Sequence, residues 1–342
     1  MAESKIEWTG RSDWNPIRGC TRVSPGCGGP GPHGGCYAEA MAGRFSDPGQ
    51  WGHGFAERTS KGGRWTGLVA IQWDRLELPL RWRTPATIFA SSTSDFFHSQ
   101  LAMGDVAQLF GVMIAAHHLR DHIFQVLTKR PEIMRQWLND PDFWEIANAA
   151  AGAHVMELVD PLERRSDDAR ATIDDYGPGN PPPGIWLGVS VEDQQRADER
   201  RTDFAAVPAT VKFVSYEPAL GPVDWSGWHF VQQIISGGES GPRARPTHPE
   251  WHRSTRDFCA PLGIAYFFKQ WGEFAPGEIA GDYLAPEKPA KGYSLFDGRW
   301  HECWSEVEGH CDDEPDVYRI GKKAAGRLLD GVQHDGVPQV AA

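Results

Sequence analysis

The chain has no run of apolar residues long enough to span a bilayer, which excludes a transmembrane helix. It also lacks a basic excess. Lys and Arg number 34 against 46 Asp and Glu, a formal net charge of −12. No general attraction to nucleic acid is therefore expected, and a nucleic-acid substrate would need a local basic patch. Cysteine is scarce, with six residues in 342 that are not spaced as a disulfide framework. Met1-Ala2-Glu3-Ser4 does not read as a targeting peptide, so a cytoplasmic location, reducing enough for free thiols, is expected. What remains is the composition of an ordinary globule, long enough to bury a full core.

Three of the six cysteines crowd near the N-terminus. They occur in Gly19-Cys20, Ser24-Pro25-Gly26-Cys27 and Gly34-Gly35-Cys36-Tyr37, among glycine, proline and small polar residues. Such a loop has little apolar surface to bury, and its backbone is free to wrap a ligand. Three thiolates are one short of a tetrahedral shell. A cubane iron–sulfur cluster held by three cysteines keeps one iron open, and the hard chemistry then belongs to the cofactor. Zinc competes, because His33 lies between Cys27 and Cys36 and would complete a Cys3His site. Spacing alone leaves both readings open.

Downstream, apolar runs alternate with helical stretches. Thr87–Ala90, Ile123–Leu127, Ile185–Val189, Val211–Val214, Phe230–Ile235 and Ile264–Phe268 each read as a strand. Each finishes in a polar cluster: Asp95; Lys129 with Arg130; Ser190 and Glu192; Glu217; Gly237-Gly238-Glu239; Lys269 with Gln270. Helices are expected near 106–118, around Ile133–Trp137, over 194–204 and over 250–259. This order predicts parallel pairing with right-handed crossovers. The predicted fold is α/β, a (β/α) TIM-like barrel, complete or partial, over residues 1–275. An insertion near 140–183 and a C-terminal appendage over 276–342 complete it. A barrel places its active site at the C-terminal ends of the strands, so six polar strand ends in a row read as a functional rim. The cysteine loop takes the place of the first βα loop.

The residues also resemble a known family. Ile6-Glu7-Trp8-Thr9, Trp14-Asn15-Pro16, the three cysteine blocks, Leu127-Thr128-Lys129-Arg130-Pro131, Gly188-Val189-Ser190-Val191-Glu192, Ser215-Tyr216-Glu217-Pro218, Gly237-Gly238-Glu239-Ser240-Gly241 and Phe268-Lys269-Gln270-Trp271-Gly272 occur in order. They are similar to the phage gene product 37 / gene product 68 family, three-cysteine-motif proteins grouped with radical S-adenosylmethionine (SAM) enzymes. The resemblance implies a [4Fe-4S] cluster on Cys20, Cys27 and Cys36, and SAM bound at the open iron. SAM would be cleaved reductively to a 5′-deoxyadenosyl radical that abstracts hydrogen from a substrate. The cysteines here are separated by six and then eight residues, where the superfamily has three and then two. The longer second gap keeps the His33 zinc alternative open.

By the same resemblance, Asp95 would bind the SAM amino group, and Lys129 and Arg130 its carboxylate. Gly237, Gly238 and Glu239 would meet adenine or ribose, and Glu217 and Lys269 the ribose or the substrate. Ser190 and Glu192 are assigned to cofactor binding with the same rim. Phage context implies a nucleobase or nucleotide substrate, an electron donor and a three-Cys-motif partner protein in a bacterial host. Arg81, Arg83, Lys129, Arg130, Arg243 and Arg245 are candidate phosphate ligands. The competing class is a non-catalytic zinc-binding or nucleic-acid-binding phage protein. Cys303 and Cys311, near His301 and His310, read as incidental cysteines of a surface tail.

Overall fold

The six apolar runs are the six strands of one parallel sheet in the computed structural model, which describes residues 6–11, 13–28, 36–60, 62–158, 172–281, 290–303 and 315–339. The strands are β1 (Thr87–Ala90), β2 (Ile123–Thr128), β3 (Ile185–Ser190), β4 (Val211–Tyr216), β5 (Gln233–Gly237) and β6 (Ala265–Gln270). They lie side by side in chain order and curl into a half-barrel. The register is regular: Phe124 opposes Ile185, Trp186 opposes Val211, and Phe213 opposes Gln233. Near-continuous burial of β3 and β5 is what a parallel sheet covered on both faces requires.

Helices return the chain between strands. Among them are α1 (Tyr37–Arg44), α2 (Met103–Arg120), α3 (Pro131–Leu138), α4 (Pro141–Leu158), α5 (Gln194–Ala205) and α6 (Pro249–Leu262). Their starts are written in the sequence. Pro131 and Pro249 occupy first-turn positions, where the missing N–H costs nothing. Asp193 caps α5 by accepting the Arg196 backbone N–H at 2.9 Å. The expected insertion near 140–183 opens with α4, whose Phe143, Trp144, Ala147 and Ala151 are buried.

The period of two along each strand sorts side chains into two layers. Ile88, Val126, Leu187, Val214, Ile234 and Phe268 face the helices in the large core. Trp186, Val211, Phe213, Ile235 and Phe267 fill the concave side, with Trp8, Ile123 and Leu127 against them. Continuing the alternation along these inner positions places Lys129, Ser190, Ser215, Glu217 and Lys269 above the aromatic layer, at the C-terminal ends of the strands.

The edges of the sheet are covered. The tract around Arg11 runs parallel to β1, with Arg11 bridged to Ile88 and Phe89 N–H donating to Arg11 O at 2.7 Å. At the other edge Asp335 bridges antiparallel to Phe267. The cysteine loop follows a two-residue strand, Ile17–Arg18, which pairs antiparallel with Ala70–Ile71 outside the parallel sheet. The loop thus lies between the Arg11 tract, which runs parallel to β1, and helix Tyr37–Arg44. Residues 274–319 add a separate antiparallel sheet in the order β7-β10-β8-β9, with β7 Phe274–Ala275, β8 Gly292–Phe296, β9 Arg299–Glu302 and β10 Val317–Arg319.

Candidate functional site

A cavity of about 470 Å³ opens at the C-terminal ends of the parallel strands. Cys20, Cys27 and Cys36 all border it. So do Asp95, Lys129, Arg130, Ser190, Glu217, Gly238, Glu239 and Lys269. Of the residues predicted for cofactor binding, Glu192 and Gly237 are not among its walls. Chain segments outside the rim also contribute: Glu7 and Trp8 from the N-terminal side and Lys322 from the C-terminal side. The Ile6–Thr9 block carried a signal for the first two. Lys322 belongs to the block Gly321-Lys322-Lys323-Ala324-Ala325-Gly326-Arg327-Leu328-Leu329-Asp330-Gly331, which also resembles the family, but no site role was expected of it.

The three cysteines share the cavity without forming a closed ligand set. Among the described residues, no group of three or more His, Cys, Asp or Glu side chains converges on a metal position. His33 lies outside the described residues, as do Cys311 and His310. Burial, aided by Asp95, pushes the Cys20 thiol up to about 12, and burial pushes Cys36 up to about 11. Both are therefore protonated at neutral pH, and a metal would have to displace those protons to bind. Gly19 positions Cys20. Its φ is +84°, and a Cβ there would overlap the Leu68 carbonyl.

The rim carboxylates hold cations, and the cations hold the cysteine loop. Asp95 accepts from Arg130 at 2.7 Å, from Thr128 Oγ1 at 2.7 Å and from Phe97 N–H at 3.0 Å. Arg130 then donates to Thr21 O at 3.1 Å and Thr21 Oγ1 at 2.9 Å, beside Cys20. Glu239 binds Arg245 through both oxygens at 2.8 Å, and Arg245 donates to Pro25 O at 3.0 Å. Glu39, at the start of α1, pairs with Arg22 at 2.5 Å. Glu192 accepts from Ser24, Lys129 and Arg200. Burial pushes the Glu192 carboxyl up, but Lys129 and Arg200 outweigh it and hold the group at about 2.

Lys129, Arg130 and Arg245, candidates for phosphate, are thus each engaged by a carboxylate. Arg81 lies on an exposed ion pair with Glu77. Glu217 and Lys269 pair at 2.7 Å with partial exposure inside the cavity. That pair remains within reach of a ligand. At Gly238 a Cβ would overlap the Trp271 carbonyl, so packing against the chain after β6 already demands glycine there.

A family described as "Protein of unknown function (DUF5131)" matches residues 3–338. The chain belongs to the DUF5131 family. No curated protein and no solved structure matches it. None of the described helices of this DUF5131 chain is long and apolar enough to cross a membrane. What its site offers chemically is three thiols and a mixed-sign ion pair bordering one cavity above an aromatic layer.

Proposed function

We propose that this protein is a radical SAM-type iron–sulfur enzyme that acts on a nucleobase or nucleotide. On this reading the parallel sheet is a partial TIM-like barrel and residues 276–342 are its appendage. The observation that carries the proposal is that Cys20, Cys27 and Cys36 all line one cavity at the C-terminal ends of parallel strands. Three cysteines bordering one space supply the donor set of a [4Fe-4S] cluster with an open position. When bound, the cluster supplies an electron and a coordination site for the amino and carboxylate groups of SAM.

The chain's own residues supply binding and orientation. Lys269 and Glu217 present a cation and an anion to a zwitterionic or ribose-bearing ligand. Trp8 and Phe89, 4.7 Å apart between ring centroids, supply an apolar floor that excludes water from beneath it. Asp95, Glu239 and Glu192 serve the loop that carries the cysteines.

The test is anaerobic reconstitution with iron and sulfide, followed by dithionite reduction and chromatography of nucleosides. The reading predicts a cubane per chain, SAM binding and release of 5′-deoxyadenosine. A fully loaded cluster that neither binds SAM nor forms 5′-deoxyadenosine refutes it. A colourless protein holding one zinc through the three cysteines supports the zinc-binding class instead.

A further inference from the structure

Glu192 is fully buried at the end of β3 and outside the walls of the main cavity. Its Oε1 accepts from Ser24 Oγ at 2.7 Å and from Lys129 Nζ. Its Oε2 accepts from Arg200 at 2.9 Å, and Arg200 also donates to Ser190 O at 2.7 Å. The Glu192 backbone carbonyl accepts Leu220 N–H at 2.8 Å, so the residue is fixed at both ends. Ser24 Oγ lies 4.0 Å from Cys27 Sγ. A Cβ added at Gly26 would overlap Glu192 Oε1. The loop segment that ends in Cys27 therefore rests directly on one carboxylate.

We propose that Glu192 is a positioning residue for Cys27, acting through Ser24 to fix where the thiol meets the metal. The inference rests on reading the three cysteines as metal ligands. It replaces a contact with SAM by a support beneath the loop. Outer-shell partners of this kind change metal affinity about 10- to 100-fold when removed.

Two effects of removing the charge have opposite signs, which makes the inference testable. If Glu192 acted only as a charge near the thiolates, Glu192→Gln would leave Lys129 and Arg200 uncompensated and would tighten metal binding. If it positions Cys27, the same change weakens binding. Ser24→Ala is the gentler probe, because it removes one hydroxyl and keeps both buried ion pairs. Ser24→Thr restores the hydroxyl.

The experiment has two arms on the full chain. The first titrates anaerobic apo-protein with Co²⁺ alone, reads the thiolate-to-cobalt absorption, and competes with a chelator. We expect Ser24→Ala and Glu192→Gln to bind cobalt about 10- to 100-fold more weakly, with Ser24→Thr close to wild type. The second arm needs no metal: iodoacetamide alkylation of folded apo-protein, followed by mass spectrometry at each cysteine. We expect Cys27 to react about tenfold faster in Ser24→Ala, as the loss of one charge-assisted hydrogen bond allows, with Cys20 and Cys36 unchanged. Wild-type alkylation at Cys27 in Ser24→Ala overturns the proposal, as does tighter cobalt binding in Glu192→Gln. If wild type binds no cobalt at the cysteines, the metal reading itself has failed and the role for Glu192 falls with it. If wild type binds cobalt but yields no 5′-deoxyadenosine with iron, only the enzymatic reading fails.

Discussion

Replacing Asp95 by Ala strikes the most heavily used carboxylate at the end of β1. The side chains of Asp95 and Arg130 are 7% and 6% exposed, and their ion pair is 2.7 Å long. Removing the carboxylate leaves Arg130 charged, buried and without its anion. Breaking a buried pair from one side costs about 3–5 kcal/mol. Phe97 N–H and the Thr128 hydroxyl also lose an acceptor. The damage spreads to Thr21, because Arg130 no longer has a reason to point at it. Asp95→Ala should therefore lower the urea midpoint strongly and loosen Cys20, whatever it does to a ligand. Arg58–Asp47 is the control: both side chains are more than half exposed, and Asp47→Ala should cost about 0–1 kcal/mol. Equilibrium urea unfolding followed by tryptophan fluorescence reads both. The double variant Asp95→Ala with Arg130→Ala removes the stranded charge, so its cost should fall well short of the sum of the two single costs. If Asp95→Ala costs less than about 1 kcal/mol, or the costs simply add, the buried hub is not holding the loop.

Further consequences follow from the same geometry. Glu192 is held at about 2 against about 4.5 in an unfolded chain, so its contribution is present above pH 4.5 and disappears as pH falls through 2. The stability cost of Glu192→Gln, measured by thermal melts at each pH, should shrink over that window; a constant cost would show that the ion pairs are not the source. Burial keeps His252 neutral and pulls it down to about 3, between Ser236 Oγ at 2.6 Å and Thr247 Oγ1 at 2.8 Å. Its unfolded form gains a proton below about pH 6.5, so stability drops as pH falls from there toward 3. His252→Gln should be most costly above pH 6.5, and a cost that grows in acid would contradict the assignment. Lys269→Met strands a Glu217 carboxylate that is only 18% exposed, so it should cost about 1–3 kcal/mol, less than Asp95→Ala. Isothermal titration should show it weakening SAM or substrate binding at least tenfold, and unaltered affinity would remove the pair from the ligand site.

Some of this was legible in the residues. A strand buried on both faces reads as an unbroken apolar run, so all six parallel strands were visible, and the polar residue after each run marked the rim. The partners of those polar residues were not visible. Asp95 meets an arginine 35 positions later, Glu192 one eight positions later and Glu239 one six positions later. A carboxylate at a strand end looks the same whether it awaits a ligand or already holds a guanidinium. The edge segments were hidden for a related reason. Residues around Arg11 and Asp335 pair by a few backbone bonds, which need no apolar pattern. The Ile17–Arg18 strand is too short to carry a period at all.

The two covered edges have a consequence for assembly of the chain. Glu7 and Lys322, both lining the cavity, approach to 3.7 Å, and Phe267 pairs with Asp335. The first of these joins residues more than 300 positions apart, and such a contact carries a large loop-closure cost and forms late. During synthesis the six strands emerge and can pair while residues 322–336 are still absent. The cavity would then have its cysteine wall and its floor but lack the wall that Lys322 supplies. Ribosome-stalled chains ending near residue 320 should therefore show a folded sheet, protected against proteolysis, and an unfinished cavity. A ligand would then meet a more open cavity than in the finished fold, where Lys322 lines it.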